Sequence, residues 1–448
     1  MDSTFINLEA LIKEAGLQMP SLTPIQSAAG NPVAKKKRVL LVGTHAHQTT
    51  GYSKVMYHII QELAKLQEFD LFHFGFQKFL PQPPGYRDYP PNVEVYDPAE
   101  LERAKLAEQE MGFGYSQFPA YVKKVKPDVI MIYNDAGVIC RFLDKLAELP
   151  ATERLFKTII YLDQVYVIQR AELLARIEKD ADAYFVFTEF WKGILKQQGV
   201  QKPIYVMRHG FDPAQFKPLD KLAMRKKHKM PENAFVFLNL NRNTPRKRYD
   251  IVIQTFAELV ARHPTKPLAL LAVCDAGENG GFPIYEIYAR ELERLKVPIE
   301  HHSHKLMVTQ SALNYTDELI NELYAMSDVG ITAADGEGFG LCQFEAMGIG
   351  IPQVVPYIGG FRDFCIKGKN CQAVEPRMRS YIPRAHSFVG GLIEVCDSHD
   401  LALAAEEYIM DSELREEHGK AARETVLGYV WSKEVAEFAR VLRTMCGA

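Results

Sequence analysis

Short, almost continuous apolar runs recur along this chain, and many are followed by stretches in which apolar residues return every three or four positions. Val39-Leu-Leu-Val-Gly43 is such a run, and residues 51–66 behind it have helical periodicity. Similar runs stand at 71–74, 93–96, 129–133, 158–162, 184–187 and 204–207, with helical segments between several of them. Strands that are apolar throughout predict a parallel sheet covered on both faces. His209-Gly-Phe-Asp-Pro213 and Phe216-Lys-Pro218 break the rhythm with Gly and Pro. It restarts with runs at 235–239, 268–273, 329–332, 353–355 and 372–374. Residues 431–442 read as a closing amphipathic helix.

The pattern predicts two successive α/β domains, each of Rossmann type, over residues 37–212 and 213–431. Ligands of open parallel sheets sit at the C-terminal strand ends, so a central cleft between the domains is the expected site. Residues 1–36 read as an N-terminal extension: one short amphipathic helix at 5–14, then a Pro/Ser/Gly-rich tether at 20–32. The run Lys35-Lys-Lys-Arg38 reads as a solvated lead-in to the first strand.

Composition narrows the class of protein. A chain of 448 residues is too long for one ordinary core, and two domains of roughly 200 residues are expected. Hydrophobic content of 47% and charged content of 24% are those of a soluble globular protein. A net charge of −3 gives no global reason to expect nucleic acid as a partner. Seven dispersed cysteines without a Cys-x-x-Cys pair fit free thiols in a reducing compartment. No apolar run reaches the roughly 18 residues that span a bilayer, so a cytoplasmic location is expected, with peripheral membrane contact left open.

The candidate chemistry is concentrated at Asp335-Gly-Glu-Gly-Phe-Gly-Leu-Cys-Gln-Phe-Glu-Ala-Met-Gly-Ile-Gly350. An apolar strand before it and good helix sequence at 344–347 make it a strand–glycine turn–helix. Such a turn aims backbone N–H groups and the positive helix end at one point, a ready anion site. Glu337 and Glu345, seven residues between them, add acceptor-only carboxylates suited to a polyol such as a ribose or hexose.

The whole string resembles the signature of retaining, nucleotide-sugar-dependent glycosyltransferases of the B-type (GT-B) fold, the family-four group. Paired glutamates, Gly-Phe-Gly and Glu-Ala-Met all stand here in order. The resemblance implies that Glu337 holds hydroxyls of the transferred sugar and Glu345 those of the ribose. Amides of Gly338, Phe339, Gly340 and Leu341 would then face sugar and phosphate. Arg242 and Lys247, five residues apart around Pro245, resemble the pair that clamps the donor diphosphate. A leaving diphosphate needs fixed positive charge as its own charge grows. Arg246 and Arg248 are in excess of that pattern and are expected to face solvent, Arg248 standing where the family often has glycine.

In the first domain, Thr49-Thr-Gly-Tyr-Ser53 matches the family's glycine-rich turn, with Gly51 approaching the ligand. Ser53 either caps the helix or binds ligand. His45 and His47 lie just past a strand end, where cleft residues tend to sit. The family's His-Asp has no histidine here; Asp163 is at or next to that position and leaves the sugar's identity open. Gly359 and Gly360 resemble the family's Gly-Gly turn facing sugar or phosphates. The resemblance also implies that the last helix, residues 432–448, crosses back to the first domain. Asp180-Ala-Asp182 is read as a helix end leading into a strand, and the histidines at 301, 302 and 304, the latter two expected on one strand face, as having a strand-end or base-pocket role, with no metal at either.

The implied activity is transfer of a hexose-type sugar from a UDP- or GDP-sugar to a hydroxyl acceptor: a glycan, glycolipid or small polyol. No cofactor or metal is expected, and attack would come on the front face. Alternatives are a nucleotide-sugar epimerase or phosphorylase, a non-catalytic nucleotide-sugar-binding protein and a DNA-base glucosyltransferase.

Overall fold

The run at 39–43 becomes the inner strand of the first sheet because both of its faces are covered: Val39 to Val42 are completely buried. The computed structural model describes residues 35–79, 81–82, 85–277, 280–309, 315–382 and 390–447. The expected helix at 5–14 and tether at 20–32 lie outside the described residues. The first sheet contains β1 (Lys37–Thr44), β2 (Phe69–Phe76), β3 (Val93–Tyr96), β4 (Val129–Asp135), β5 (Lys157–Asp163), β6 (Ala183–Val186) and β7 (Ile204–Val206). Its order is β3-β2-β1-β4-β5-β6-β7, and every pairing is parallel.

The second sheet repeats the plan with β8 (Phe235–Leu240), β9 (Leu268–Val273), β10 (Leu306–Val308), β11 (Val329–Ile331), β12 (Gln353–Pro356) and β13 (Cys371–Val374). It runs β10-β9-β8-β11-β12-β13, again parallel throughout. An antiparallel hairpin of β14 (Met378–Tyr381) and β15 (Leu392–Val395) is appended. Sequence periodicity did not single out β10 or the hairpin; β10 is three residues long and β14 is exposed along its whole length, so neither carries a buried-strand signal.

The helix Gly51–Leu66 starts where expected because Thr50 caps it, accepting from the Ser53 N–H at 3.3 Å while Ser53 Oγ accepts from the Thr50 N–H at 3.1 Å. Ser53 is thus the third residue of a capping box, and it is fully buried.

The chain crosses between the sheets twice, and the two crossings pack together. Phe211 donates its N–H to the Tyr429 carbonyl at 2.8 Å, and a Cβ on Gly210 would lie 2.5 Å from the Trp431 ring. The helix Trp431–Cys446 then lies on the first sheet's side: Trp431 stacks on His58 at 4.8 Å, Phe438 meets Phe185 at 5.2 Å, and Arg443 pairs with Glu68 at 2.7 Å. The architecture is two Rossmann-like parallel-sheet domains with a crossing C-terminal helix. Among the described residues, no helix is long and apolar enough to cross a membrane.

Candidate active site between the two sheets

Each sheet reverses its strand order once, between β1 and β4 in the first and between β8 and β11 in the second. Chains leaving such a pair of strands diverge and open a crevice at their C-terminal ends. The residues that follow these strands line one shared cleft of about 410 Å³. Gly51 comes from the first sheet's side. Arg242, Arg246 and Lys247 follow β8, and Glu337, Gly338, Phe339, Gly340 and Leu341 follow β11. Asp163, at the end of β5, and Glu345, on the helix Leu341–Gly348, complete the set.

The glycine turn is shaped from both domains. Gly340 has φ of 98°, which favours glycine, and a Cβ there would meet the Phe361 ring at 2.3 Å. A Cβ on Gly338 would fall 2.1 Å from Asp163 Oδ1, and the Trp191 indole N–H of the first domain donates to the Gly338 carbonyl at 2.6 Å. The second glycine pair departs from expectation. Gly360 donates its N–H to the Glu337 carbonyl at 2.9 Å, so that amide is not offered to a ligand. Added Cβ atoms on Gly359 and Gly360 would each sit 2.3 Å from a loop carbonyl, so the pair supports the turn from behind.

Glu337 accepts from Lys247 Nζ, and from Arg246 Nη1 at 3.3 Å. Burial pushes its carboxyl up, but Lys247 and Arg246 together outweigh that and hold it below the ordinary value. The expectation that Arg246 faces solvent is corrected: its guanidinium also donates to the Gly336 carbonyl at 2.6 Å, which turns it into the cleft. Arg248 is corrected too. Its Nε and Nη2 grip Asp250 at 3.0 and 2.7 Å, and its φ of 50° keeps the left-handed backbone that a glycine would adopt. The cleft lining as a whole holds five cations, Lys54, Arg87, Arg242, Arg246 and Lys247, against four carboxylates, Asp163, Asp317, Glu337 and Glu345, with Arg242, Arg246 and Lys247 gathered after β8.

Glu345 is 4% exposed and already engaged. Lys54 Nζ donates to its Oε1 at 2.6 Å and the Tyr324 hydroxyl to its Oε2 at 3.0 Å. Lys54 also pairs with Asp317 at 3.0 Å, and Asp317 with Arg87 at 2.9 Å. Burial pushes Asp317 up, yet Lys54 and Arg87 bring it down to about 2.

Asp163 accepts from the Tyr52 hydroxyl at 2.5 Å through Oδ2, while its buried Oδ1 has no partner among the described residues. Burial raises it to about 6, and likewise raises the buried Asp335, beneath the turn, to about 7. Both carboxyls therefore hold a proton more tightly when folded than when unfolded. That contribution to stability is full below 3.8 and disappears as pH rises through about 6 for Asp163 and about 7 for Asp335. Asp335→Asn is expected to flatten this decline in urea-unfolding midpoints measured from pH 4 to 8; an unchanged slope would refute it.

The sequence did not point to Tyr52, Lys54, Arg87, Asp317, Tyr324 or His209. Lys54 carried a signal: it falls on the same helical stripe as the buried Val55, His58 and Ile59. His209, read only as part of a boundary, lines the cleft between Phe187 and Phe339 at 4.5 and 4.4 Å, and burial lowers it to about 3. His45 and His47 do not line the cleft; they pack with Tyr89 in the first domain. His302 and His304 are not on a strand. Pro298 starts a short helix, Ile299–His302, and a 3-10 turn follows, so His302 is buried and His304 exposed. Asp180 and Asp182 are tied to Arg176 and to the Thr158 N–H.

Residues 220–425 match the family model of glycosyl transferases group 1. The match covers less than half of the chain and falls within its second domain. Over 161 residues the chain is 27% identical to D-inositol 3-phosphate glycosyltransferase 2 of Catenulispora acidiphila, covering 36% of each protein. It is 24% identical over 235 residues to N-acetyl-alpha-D-glucosaminyl L-malate synthase of Bacillus anthracis, covering 52% of this chain and 51% of that one. The chain thus spans about a third to a half of the length of such curated relatives. Among solved structures, sucrose-phosphate synthase of Thermosynechococcus elongatus superposes with a TM-score of 0.68 at 16% identity, covering 92% of this chain and 99% of that one. HepE of Anabaena, in complex with UDP and glucose, gives 0.65 at 15% identity, covering 91% and 100%. The fold is the two-domain GT-B type. The matched residues include Arg242, Lys247, Glu337 and Glu345, whereas Gly51, Lys54 and Asp163 lie outside them.

Proposed function

We propose that the protein is a retaining glycosyltransferase that moves a hexose-type sugar from a UDP- or GDP-sugar to a hydroxyl acceptor without a metal. One observation carries this reading: the cations after β8 and the paired glutamates after β11 converge on a single cleft at the switch points of both sheets. Arg242, Arg246 and Lys247 would stabilise the departing diphosphate, doing by fixed charge what the chemistry requires. Glu337, kept ionised by Lys247 and Arg246, would accept from hydroxyls of the transferred sugar, and Glu345 from the ribose. Asp163 would accept from a further sugar hydroxyl through its unpartnered Oδ1. No group in the cleft is assigned as a covalent nucleophile, so the leaving phosphate would take the acceptor's proton in a front-face attack.

The names of the relatives support a small polyol or polyol phosphate among acceptors, and the HepE complex supports uridine as the first base to test. A glycan or lipid-linked acceptor is the other class the open cleft would admit.

The test is a thermal-shift screen against UDP, GDP, ADP and their sugars, followed by donor hydrolysis and transfer assays. The correct donor is expected to raise the melting temperature and to be hydrolysed slowly without acceptor. Binding without hydrolysis or transfer would leave a nucleotide-sugar-binding protein and overturn the enzyme reading. Glu345→Ala is expected to weaken nucleotide binding with little change in sugar preference, and Glu337→Ala the reverse, as read by Kd values for nucleoside diphosphates and by donor competition.

A further inference from the structure

Resting on the nucleotide-sugar reading, we infer that Lys54, from the first domain, is a positioning residue for ribose recognition by Glu345 in the second domain. The geometry is specific. Lys54 Nζ donates to Glu345 Oε1 at 2.6 Å and to Asp317 Oδ1 at 3.0 Å, and lies 4.5 Å above the Phe216 ring. The Tyr324 hydroxyl donates to Glu345 Oε2 at 3.0 Å. Each carboxylate oxygen thus has one fixed donor and lone-pair capacity to spare. Two oxygens pinned in this way present a bidentate acceptor for a vicinal diol, which a ribose offers and a deoxyribose does not.

Lys54 also supplies the charge this arrangement needs. Lys54, Arg87, Asp317 and Glu345 are each less than a tenth exposed, and their formal charges sum to zero. Burying a carboxylate with no cation beside it costs far more than burying a paired one, so Glu345 would favour its protonated form without Lys54. Protonated, it would lose half of its acceptor character. Arg87 reaches only the Asp317 end of the cluster, by Nε at 3.2 Å and Nη2 at 2.9 Å, and does not touch Glu345. Lys54 thus ties the first domain directly to Glu345, while Arg87 ties it to Asp317, and the selectivity of the second domain depends on the first being seated on it.

The experiment compares UDP with 2′-deoxy-UDP and 3′-deoxy-UDP by calorimetry, with the guanosine set in parallel. The wild type is expected to prefer the ribose form by about tenfold or more, the usual size for a hydrogen bond to a charged group. Lys54→Met should abolish that preference, bringing UDP down to the affinity of its deoxy analogues, while Lys54→Arg restores part of it. Should Lys54→Met fail to fold, Lys54→Met/Asp317→Asn keeps the cluster neutral and is read in the same way. Retention of the ribose preference in the folded Lys54 variant overturns the inference, as does its absence from a wild type that binds UDP. A wild type that binds no nucleoside diphosphate overturns the functional reading itself.

Discussion

Lys247→Ala is expected to lower turnover on the order of 10²-fold or more, the size seen when a group that meets developing charge is removed. Lys247 Nζ lies on Glu337 at the centre of the cleft, so the substitution removes positive charge where a diphosphate would leave and frees the carboxylate. Folding should suffer less, because Arg246 still donates to Glu337 and to the Gly336 carbonyl. The measurement is kcat with saturating donor alongside a melting curve. Arg242→Ala should act in the same direction. Near-normal rates in both variants, with an intact fold, would sink the assignment of these cations to the leaving group. Lys247→Arg should not restore full activity, since a planar fork replaces a compact ammonium.

Gly338→Ala is expected to have the second largest effect, and through contact between the domains. The added methyl would fall 2.1 Å from Asp163 Oδ1, so either the turn or the end of β5 must move. Overpacking of this kind costs about 1–3 kcal/mol, which urea unfolding can read. Activity should fall further, because the same turn carries Glu337 and is held by the Trp191 bond to the Gly338 carbonyl. Asp163→Ala/Gly338→Ala should recover most of the stability by making room, without recovering activity. Failure of the double variant to regain stability would place the strain elsewhere.

Much of the fold was legible because parallel strands are buried on both faces and so write themselves as unbroken apolar runs. The run at 129–133 falls within β4 and that at 268–273 coincides with β9, both buried, and the helical stretch at 51–66 coincides with Gly51–Leu66. The short β10 and the exposed hairpin fell outside that rule. The candidate site was legible where one turn gathers several groups in sequence, as Glu337 to Glu345 do. It was misread where partners are remote. Arg246 looked superfluous because its acceptors, Gly336 and Glu337, lie 90 and 91 residues away. Gly360 looked like a ligand amide because its own acceptor, the Glu337 carbonyl, belongs to another loop.

By itself the sequence determined the doubled α/β plan and the glutamate turn, since local periodicity and glycine geometry are properties of neighbouring residues. Only the tertiary structure decided which side chains spend their hydrogen bonds on the protein and which remain turned to the cleft. Lys54, Asp163 and Glu345 belong to segments far apart in the chain. Their chemistry was fixed when the two sheets came together, because burial and the nearest opposite charge, rather than residue type, set what a buried ionisable group can do.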